Sequence, residues 1–290
     1  AWARDAAEYL QKGADLVHDP FADHPLISTC YVPHSTSALS DEAFVELRVM
    51  ADQLDVSVQI HLHETLAEID AAIRDTGQRP FERLASLGLV NSSLLAVHAI
   101  HMTDAEIASF AEGGVSIAHC PRSNLKLASG IAPVARYRSA GVNVAIGTDG
   151  AASNNVLDML AEIRLAALLA KVSESDAASV SAADALRMGT IDSARALGLD
   201  KRIGSIEPNK SADLTCLDLS RLNSQPVYDV ISQVVYTANA NQVSDVWIAG
   251  KHQLENGRLT HIDKDGLLDR SEEWRERFTS TSEHQRQAKS

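Results

Sequence analysis

The first residues whose types and spacing could do chemistry are His61-Leu62-His63-Glu64. Residues 61 and 63 of a strand share a face, so the two histidines could be paired metal ligands. Alternatively His61 is the ligand and Glu64, where a strand gives way to a helix, is an acid/base group beside it. The plainest reading is two satisfied histidines at a sheet edge. Val97-His98-Ala99-Ile100-His101 offers His98 to the same centre, with His101 capping the loop or the next helix. In His119-Cys120-Pro121-Arg122-Ser123-Asn124 the adjacent His and Cys alternate faces and cannot both hold one ion from a regular strand. That stretch reads as a loop shaping a pocket, with Cys120 a packing residue. Asp149, in Gly147-Thr148-Asp149-Gly150, is either a turn residue or a carboxylate aimed into the same mouth, which His34 could also reach.

Together these types suit hydrolysis. A divalent ion held by imidazole and carboxylate leaves a position for water and lowers its pKa toward neutrality. Asp149 could take the water's proton, and His98 could hydrogen-bond the incoming oxygen or the developing oxyanion. Glu64 could protonate a ring nitrogen and later deliver a proton to departing ammonia.

The elements that must position these groups alternate. Strand-like runs at 26–32, 56–61, 94–100, 115–119 and 142–146 are separated by helical patterns at 41–54, 66–75, 104–112 and 131–140. An amphipathic stretch at 156–170 follows. This is the pattern of βαβ units and a parallel sheet. Thr65-x-x-Glu68 and Thr103-x-x-Glu106 read as capping boxes that start helices directly after strands. Each polar cluster therefore lies at the C-terminal end of a strand, the catalytic face of a (β/α) barrel. After about residue 197 the texture changes: 213–219, 230–236 and 243–249 read as strands, with Gly250-Lys251 and Asn256-Gly257 as turns, and 264–278 as a helix. The expected fold is α/β: a partial TIM-type barrel of about the last five strands over 1–197, part of a small β-sandwich over 198–262, and a C-terminal helix and tail over 263–290.

Composition narrows the partners. With 290 residues, 45% hydrophobic, the chain can bury a large core, and a net charge of −13 argues against nucleic acid or an anionic membrane surface. No dinucleotide or phosphate-loop glycine pattern follows any strand. Three widely spaced cysteines suit a reducing compartment, no apolar run is long enough to span a bilayer, and residues 1–5 do not open a signal peptide. A cytoplasmic location is the expectation.

The order His61-x-x-Glu64, His98, the stretch 119–130 (HCPRSNLKLASG) and Gly147-Thr148-Asp149-Gly150 resembles the amidohydrolase superfamily. Within it, the match is to the triazine-hydrolase-like branch that includes 5-methylthioadenosine/S-adenosylhomocysteine deaminases. The segment 204–214 (GSIEPNKSADL) resembles the branch's entry into its C-terminal β-sandwich. The resemblance implies a Zn ion, with Fe or Mn as alternatives, held by His61 and Asp149. It implies Glu64 contacting and protonating the substrate ring, His98 beside the attacking water and His34 as a substrate contact, and it makes His63 a variable position. The implied partner is a small purine nucleoside-like molecule, and the implied assembly is a homo-oligomer.

Two departures stand out. Family members carry an earlier His-x-His pair on the first barrel strand, and none precedes His61 here; Ser35-Thr36-Ser37 stands where relatives tend to carry Pro-Tyr. The expectation is a C-terminal part of a longer protein, with two metal ligands instead of four and an open sheet edge. Three readings follow: a deaminase of adenosine-like thioethers, a related triazine chlorohydrolase or guanine deaminase, and an inactive truncated fragment. A non-catalytic binding module is disfavoured by the retention of Glu64, His98 and Asp149.

Overall fold

A computed structural model describes residues 3–17, 19 and 24–287. Ala1 and Trp2, and the last polar residues of the tail at 288–290, lie outside the described residues. The chain divides into two compact units, 1–210 with 226–239 and 211–225 with 240–290.

In the first unit, helices α1 (Ala6–Val17) and α2 (Asp41–Leu54) precede strand β1 (Val58–Leu62). Then come α3 (Leu66–Thr76), α4 (Pro80–Ser86), β2 (Leu94–His98), α5 (Asp104–Gly113) and β3 (Ser116–His119). α6 (Pro121–Lys126), α7 (Val134–Ser139), β4 (Asn143–Ile146) and α8 (Ala151–Asn154) follow, and α9 (Met159–Glu174), α10 (Ala182–Met188) and α11 (Ile191–Ala196) complete the run. The four strands pair in parallel in chain order. This is the partial barrel anticipated from the alternation of patterns. On β1, Val58, Ile60 and Leu62 join Phe44 and Leu47 of α2 in the core, so the pleat sends His61 to the opposite side. All five residues of β2 are buried, as expected of a strand covered on both faces.

Sequence and structure part company at identifiable points. The run 26–32 is expected as the first of five strands, but only isolated parallel bridges form, Tyr31 with Val58 and Ser35 with His61. Between them stands Pro33, which has no N–H to give; Gln59 N–H reaches Tyr31 O at 2.8 Å, and the next bond skips to His34 O. Helix α7 starts only after Pro133 rather than at 131. α9 starts at Met159, where Asp158 accepts from two amides of its first turn, rather than at 156.

Residues 230–236, read as a strand from their β-branched content, form helix α12 (Val230–Tyr236) within the first unit. Asp229 caps it by accepting from Ser232 N–H at 2.7 Å, Val235 is fully buried, and Arg164 of α9 donates to Val235 O and Ala238 O. Capping and burial override the local β preference.

The second unit is an antiparallel sheet of β5 (Leu214–Leu217), β6 (Val243–Ile248), β7 (Lys251–Glu255) and β8 (Arg258–Leu259), followed by α13 (Lys264–Gln287). The two expected turns fall at Gly250 and at Asn256-Gly257, all three with positive φ. Among the described residues no helix is long and apolar enough to cross a membrane.

Candidate active site at the strand ends

Three strand ends turn sharply, each through a non-glycine residue in the left-handed region: His63 (φ 51°), His98 (φ 68°) and Asp149 (φ 58°). Such residues cost of order 1–3 kcal/mol each and gather where function constrains the chain. They redirect side chains that a regular strand would have aimed elsewhere.

This separates the two histidines of the first cluster. His61 lies on β1, where its Nδ1–H donates to His34 O at 2.6 Å, so that Nε2 is the nitrogen left to reach a ligand. His63 lies beyond the strand and is fully buried, accepting Phe81 N–H at Nε2 (3.2 Å) at the start of α4. Its Nδ1 stands 3.9 Å from Glu106, which Arg79 holds through two bonds of 2.6 and 3.0 Å. Burial, opposed by Glu106 and reinforced by Arg79, pushes the His63 pKa down to about 4. A same-face His61/His63 ligand pair is thereby ruled out: the left-handed turn sends His63 into a satisfied structural niche.

His98, buried, stacks on His61 with ring centroids 5.3 Å apart, and His34 leans on His61 from 4.8 Å. Its Nδ1–H donates to Asn124 Oδ1 at 2.8 Å, which leaves Nε2 as the accepting nitrogen, 3.7 Å from Glu64 Oε2. Burial lowers the His98 pKa; Glu64, Asn124 and Asp149 pull it up and His61 adds to the lowering. The other Glu64 oxygen accepts Ser129 Oγ–H at 3.1 Å. Ser129 can approach because Gly130 follows it at φ 132°, where a Cβ would fall 2.9 Å from Ile100 Cγ2. His101 donates to Ser129 O at 2.8 Å and so ties down this loop rather than capping a helix.

Asp149 Oδ2 accepts Ser123 Oγ–H (2.7 Å) and Ser153 Oγ–H (2.6 Å), and Oδ1 accepts Gly150 N–H (2.7 Å). Burial pushes its pKa up, but Ser153, Ser123, the Gly150 amide and His98 outweigh that and hold it below the usual carboxylate range. It is an ionised, pre-oriented carboxylate at neutral pH.

His119 is fully buried, directly beyond the Val97–Ala118 pair of the β2–β3 register and so beside His98; neither ring nitrogen has a hydrogen-bond partner, and burial pushes its pKa down to about 3. Cys120, also buried, has its thiol pushed up to about 12 by burial first and by Asp149 and Glu162 next. It packs against Gly147, whose absent Cβ would lie 3.3 Å from its sulfur, and is no nucleophile.

The donors present fit a divalent ion in kind. His61 has the outer-partner arrangement of a ligating histidine, with one nitrogen fixed by a carbonyl and the other free, and Asp149 is ionised. Among the described residues no three His, Cys, Asp or Glu side chains converge as a metal cluster.

Sequence reasoning missed Ser123, Ser129, Ser153 and Asn124 as partners of the acidic and imidazole groups, and missed Glu162 altogether. Glu162 is fully buried on α9 among Ile163, Ala166, Ala167 and Ala170. A carboxylate inside an apolar stripe is the signal that would have found it.

The family model for the amidohydrolase family matches residues 21–252. A 5-methylthioadenosine/S-adenosylhomocysteine deaminase of Teredinibacter turnerae is 44% identical over 278 residues, 96% of this chain and 63% of that protein. A 5'-deoxyadenosine deaminase of Methanopyrus kandleri is 41% identical over 88% of this chain and 59% of its own length. Among solved structures, an adenosine deaminase from Xanthomonas campestris with bound zinc superposes with a TM-score of 0.94 at 50% identity, covering 97% of this chain and 64% of that one. A zinc complex of atrazine chlorohydrolase from Arthrobacter aurescens superposes with a TM-score of 0.87 at 27% identity, over 92% of this chain and 59% of that one. The chain spans about three-fifths of the length of the relatives it matches.

Proposed function

The chain belongs to the amidohydrolase family, and from that membership we propose that it serves the hydrolytic deamination of an adenosine-like thioether, 5-methylthioadenosine or S-adenosylhomocysteine. The observation that carries the proposal is the meeting of Glu64, His98 and His61 at two neighbouring strand ends, with Glu64 Oε2 3.7 Å from His98 Nε2 and the two rings stacked. The name of the relative at 44% identity supports a thioether as substrate, and that of the 5'-deoxyadenosine deaminase at 41% supports an adenosine-like one.

In this reading His61 and Asp149 hold a divalent ion, zinc by analogy with the similar zinc-bound structures. When bound, such an ion lowers the pKa of water toward neutrality. His98, neutral and with Nδ1–H committed to Asn124, accepts a hydrogen bond from the water at Nε2. As water attacks the amino-bearing ring carbon, Asp149 takes one of its protons and Glu64 gives a proton to the neighbouring ring nitrogen. The carbon–nitrogen bond then breaks. The amine leaves as ammonia with the proton held by Asp149, and the remaining hydroxyl proton returns to Glu64 as the carbonyl forms. His34, exposed beside His61, is the proposed substrate contact.

The zinc-bound atrazine chlorohydrolase favours a second reading, displacement of chloride from a triazine by the same residues. Incubation with methylthioadenosine, S-adenosylhomocysteine, guanine and a chlorotriazine separates the two. Ammonia release from the thioethers is expected; chloride release from the triazine with no ammonia from either thioether would replace the first reading by the second.

A further inference from the structure

Beneath Asp149 lies a carboxylate that the proposed chemistry does not use. Glu162 Oε2 accepts Arg122 N–H at 3.0 Å in the first turn of α6, and Oε1 accepts Asn154 Nδ2 at 2.9 Å at the end of α8. Each partner adjoins a serine that grips Asp149: Arg122 precedes Ser123 and Asn154 follows Ser153, and both serine hydroxyls donate to Asp149 Oδ2. Asn154 Nδ2 also donates to Thr148 O at 2.5 Å, the carbonyl immediately before Asp149. The amide cannot turn over: Asn154 Oδ1 is buried without a partner, and exchanging it with Nδ2 would set an oxygen against two acceptors.

We propose that Glu162 is a positioning residue for Asp149, one buried carboxylate that fixes both of the arms whose serines orient the Asp149 side chain. This rests on the reading of Asp149 as the proton acceptor. Stability alone is a poor account of Glu162, because burying a carboxylate in an apolar stripe is costly and an apolar residue would pack there without that cost. The Arg122 guanidinium, 3.5 Å away, offsets part of it. What an apolar residue could not do is bind an amide from α6 and an amide from α8 at once.

Glu162→Gln keeps the size but only one acceptor, so its NH2 group must face either Arg122 N–H or Asn154 Nδ2 and one of the two arms is lost. Asn154→Ala cuts the α8 arm without touching Arg122, and decides the matter should Glu162→Gln not fold. Two quantities are to be measured on wild type and both variants: amide hydrogen exchange by mass spectrometry, and steady-state deamination of methylthioadenosine. The expected result is faster exchange confined to the arm that is cut, residues 147–155 in Asn154→Ala and 147–155 or 121–126 in Glu162→Gln, with β2 and β3 unchanged. With it goes a fall in kcat of roughly 10–100-fold while KM moves by less than about threefold. Unchanged exchange at 147–155 in both variants overturns the proposal. So does a rise spread evenly over the sheet with kcat per folded molecule intact, since that is the behaviour of plain structural support. A wild-type protein that releases no ammonia sinks the functional reading alone, because the exchange contrast is read without turnover.

Discussion

His63 and His98 sit at the ends of neighbouring strands, both left-handed, both buried, and each faces a glutamate at almost the same distance, 3.9 Å to Glu106 and 3.7 Å to Glu64. Around His63 every charge has an answer. Arg79 forks onto Glu106 and reaches His101 O, Phe81 N–H fills Nε2, and Glu106 also closes the capping box with Thr103. Around His98 the compensation is of another kind: Glu64 meets a serine hydroxyl and an imidazole, and Asp149 meets two hydroxyls and an amide. Hydroxyls and imidazoles orient a carboxylate without neutralising it. The first cluster is thus an internal tie, and the second holds its two carboxylates in place with no Lys or Arg side chain paired to either among the described residues.

That contrast can be broken from either side. On the open side, Asp149→Asn retains shape but cannot take a proton, and kcat should fall roughly 10²–10⁴-fold, a barrier increase of about 3–5 kcal/mol. The melting temperature should barely move; turnover within tenfold of wild type would remove Asp149 from the chemistry. On the closed side, Glu106→Ala strips Arg79 and His63 of their shared acceptor in a nearly buried setting. The expected loss is about 2–4 kcal/mol of stability with kcat per folded molecule unchanged, read by urea unfolding beside the activity assay. If activity fell as far as stability, the two clusters would not be separable.

How much of this was legible depended on range. Helix α2 spans the residues expected because Ser40 caps it and its apolar positions recur at helical spacing, and the Thr103–Glu106 box formed as the spacing implied. Local signals sufficed there. The choice between His61 and His63 was not local: it turned on the φ of one residue and on Phe81, 18 positions away. Pro33 interrupted a strand that hydrophobicity alone suggested, and Asp229 with buried Val235 turned a β-branched run into a helix. Glu162 stood out locally only as a carboxylate in an apolar stripe, and its role lies in a bond to Arg122, 40 residues before it.

His119 belongs to neither cluster and sharpens the comparison through pH. Its ring stays neutral in the folded chain down to about pH 3, whereas an unfolded histidine takes a proton near 6.5. Between those values the unfolded state binds the extra proton. Stability from this residue is therefore complete above 6.5 and is lost as pH falls toward 3. His119→Leu should flatten the acid limb of a stability–pH curve by about one proton between pH 4 and 6. An unchanged slope would mean that the buried ring is already protonated or answered by a hidden partner.

The smallest effect tests the closed cluster at its rim. Thr103 Oγ accepts Glu106 N–H at 3.3 Å, while Glu106 Oε2 accepts Thr103 N–H at 2.7 Å. Thr103→Ala deletes the first bond and leaves the second, so Glu106 keeps Arg79 and a backbone donor. The loss should be that of one cap, about 1 kcal/mol, and should not grow at low pH because no ionisable partner is removed. Guanidinium unfolding of Thr103→Ala, Glu106→Ala and the double variant would measure the coupling directly. A double-variant loss clearly below the sum is expected, since both residues serve one box. Strict additivity would show that the two bonds of the box act independently of each other.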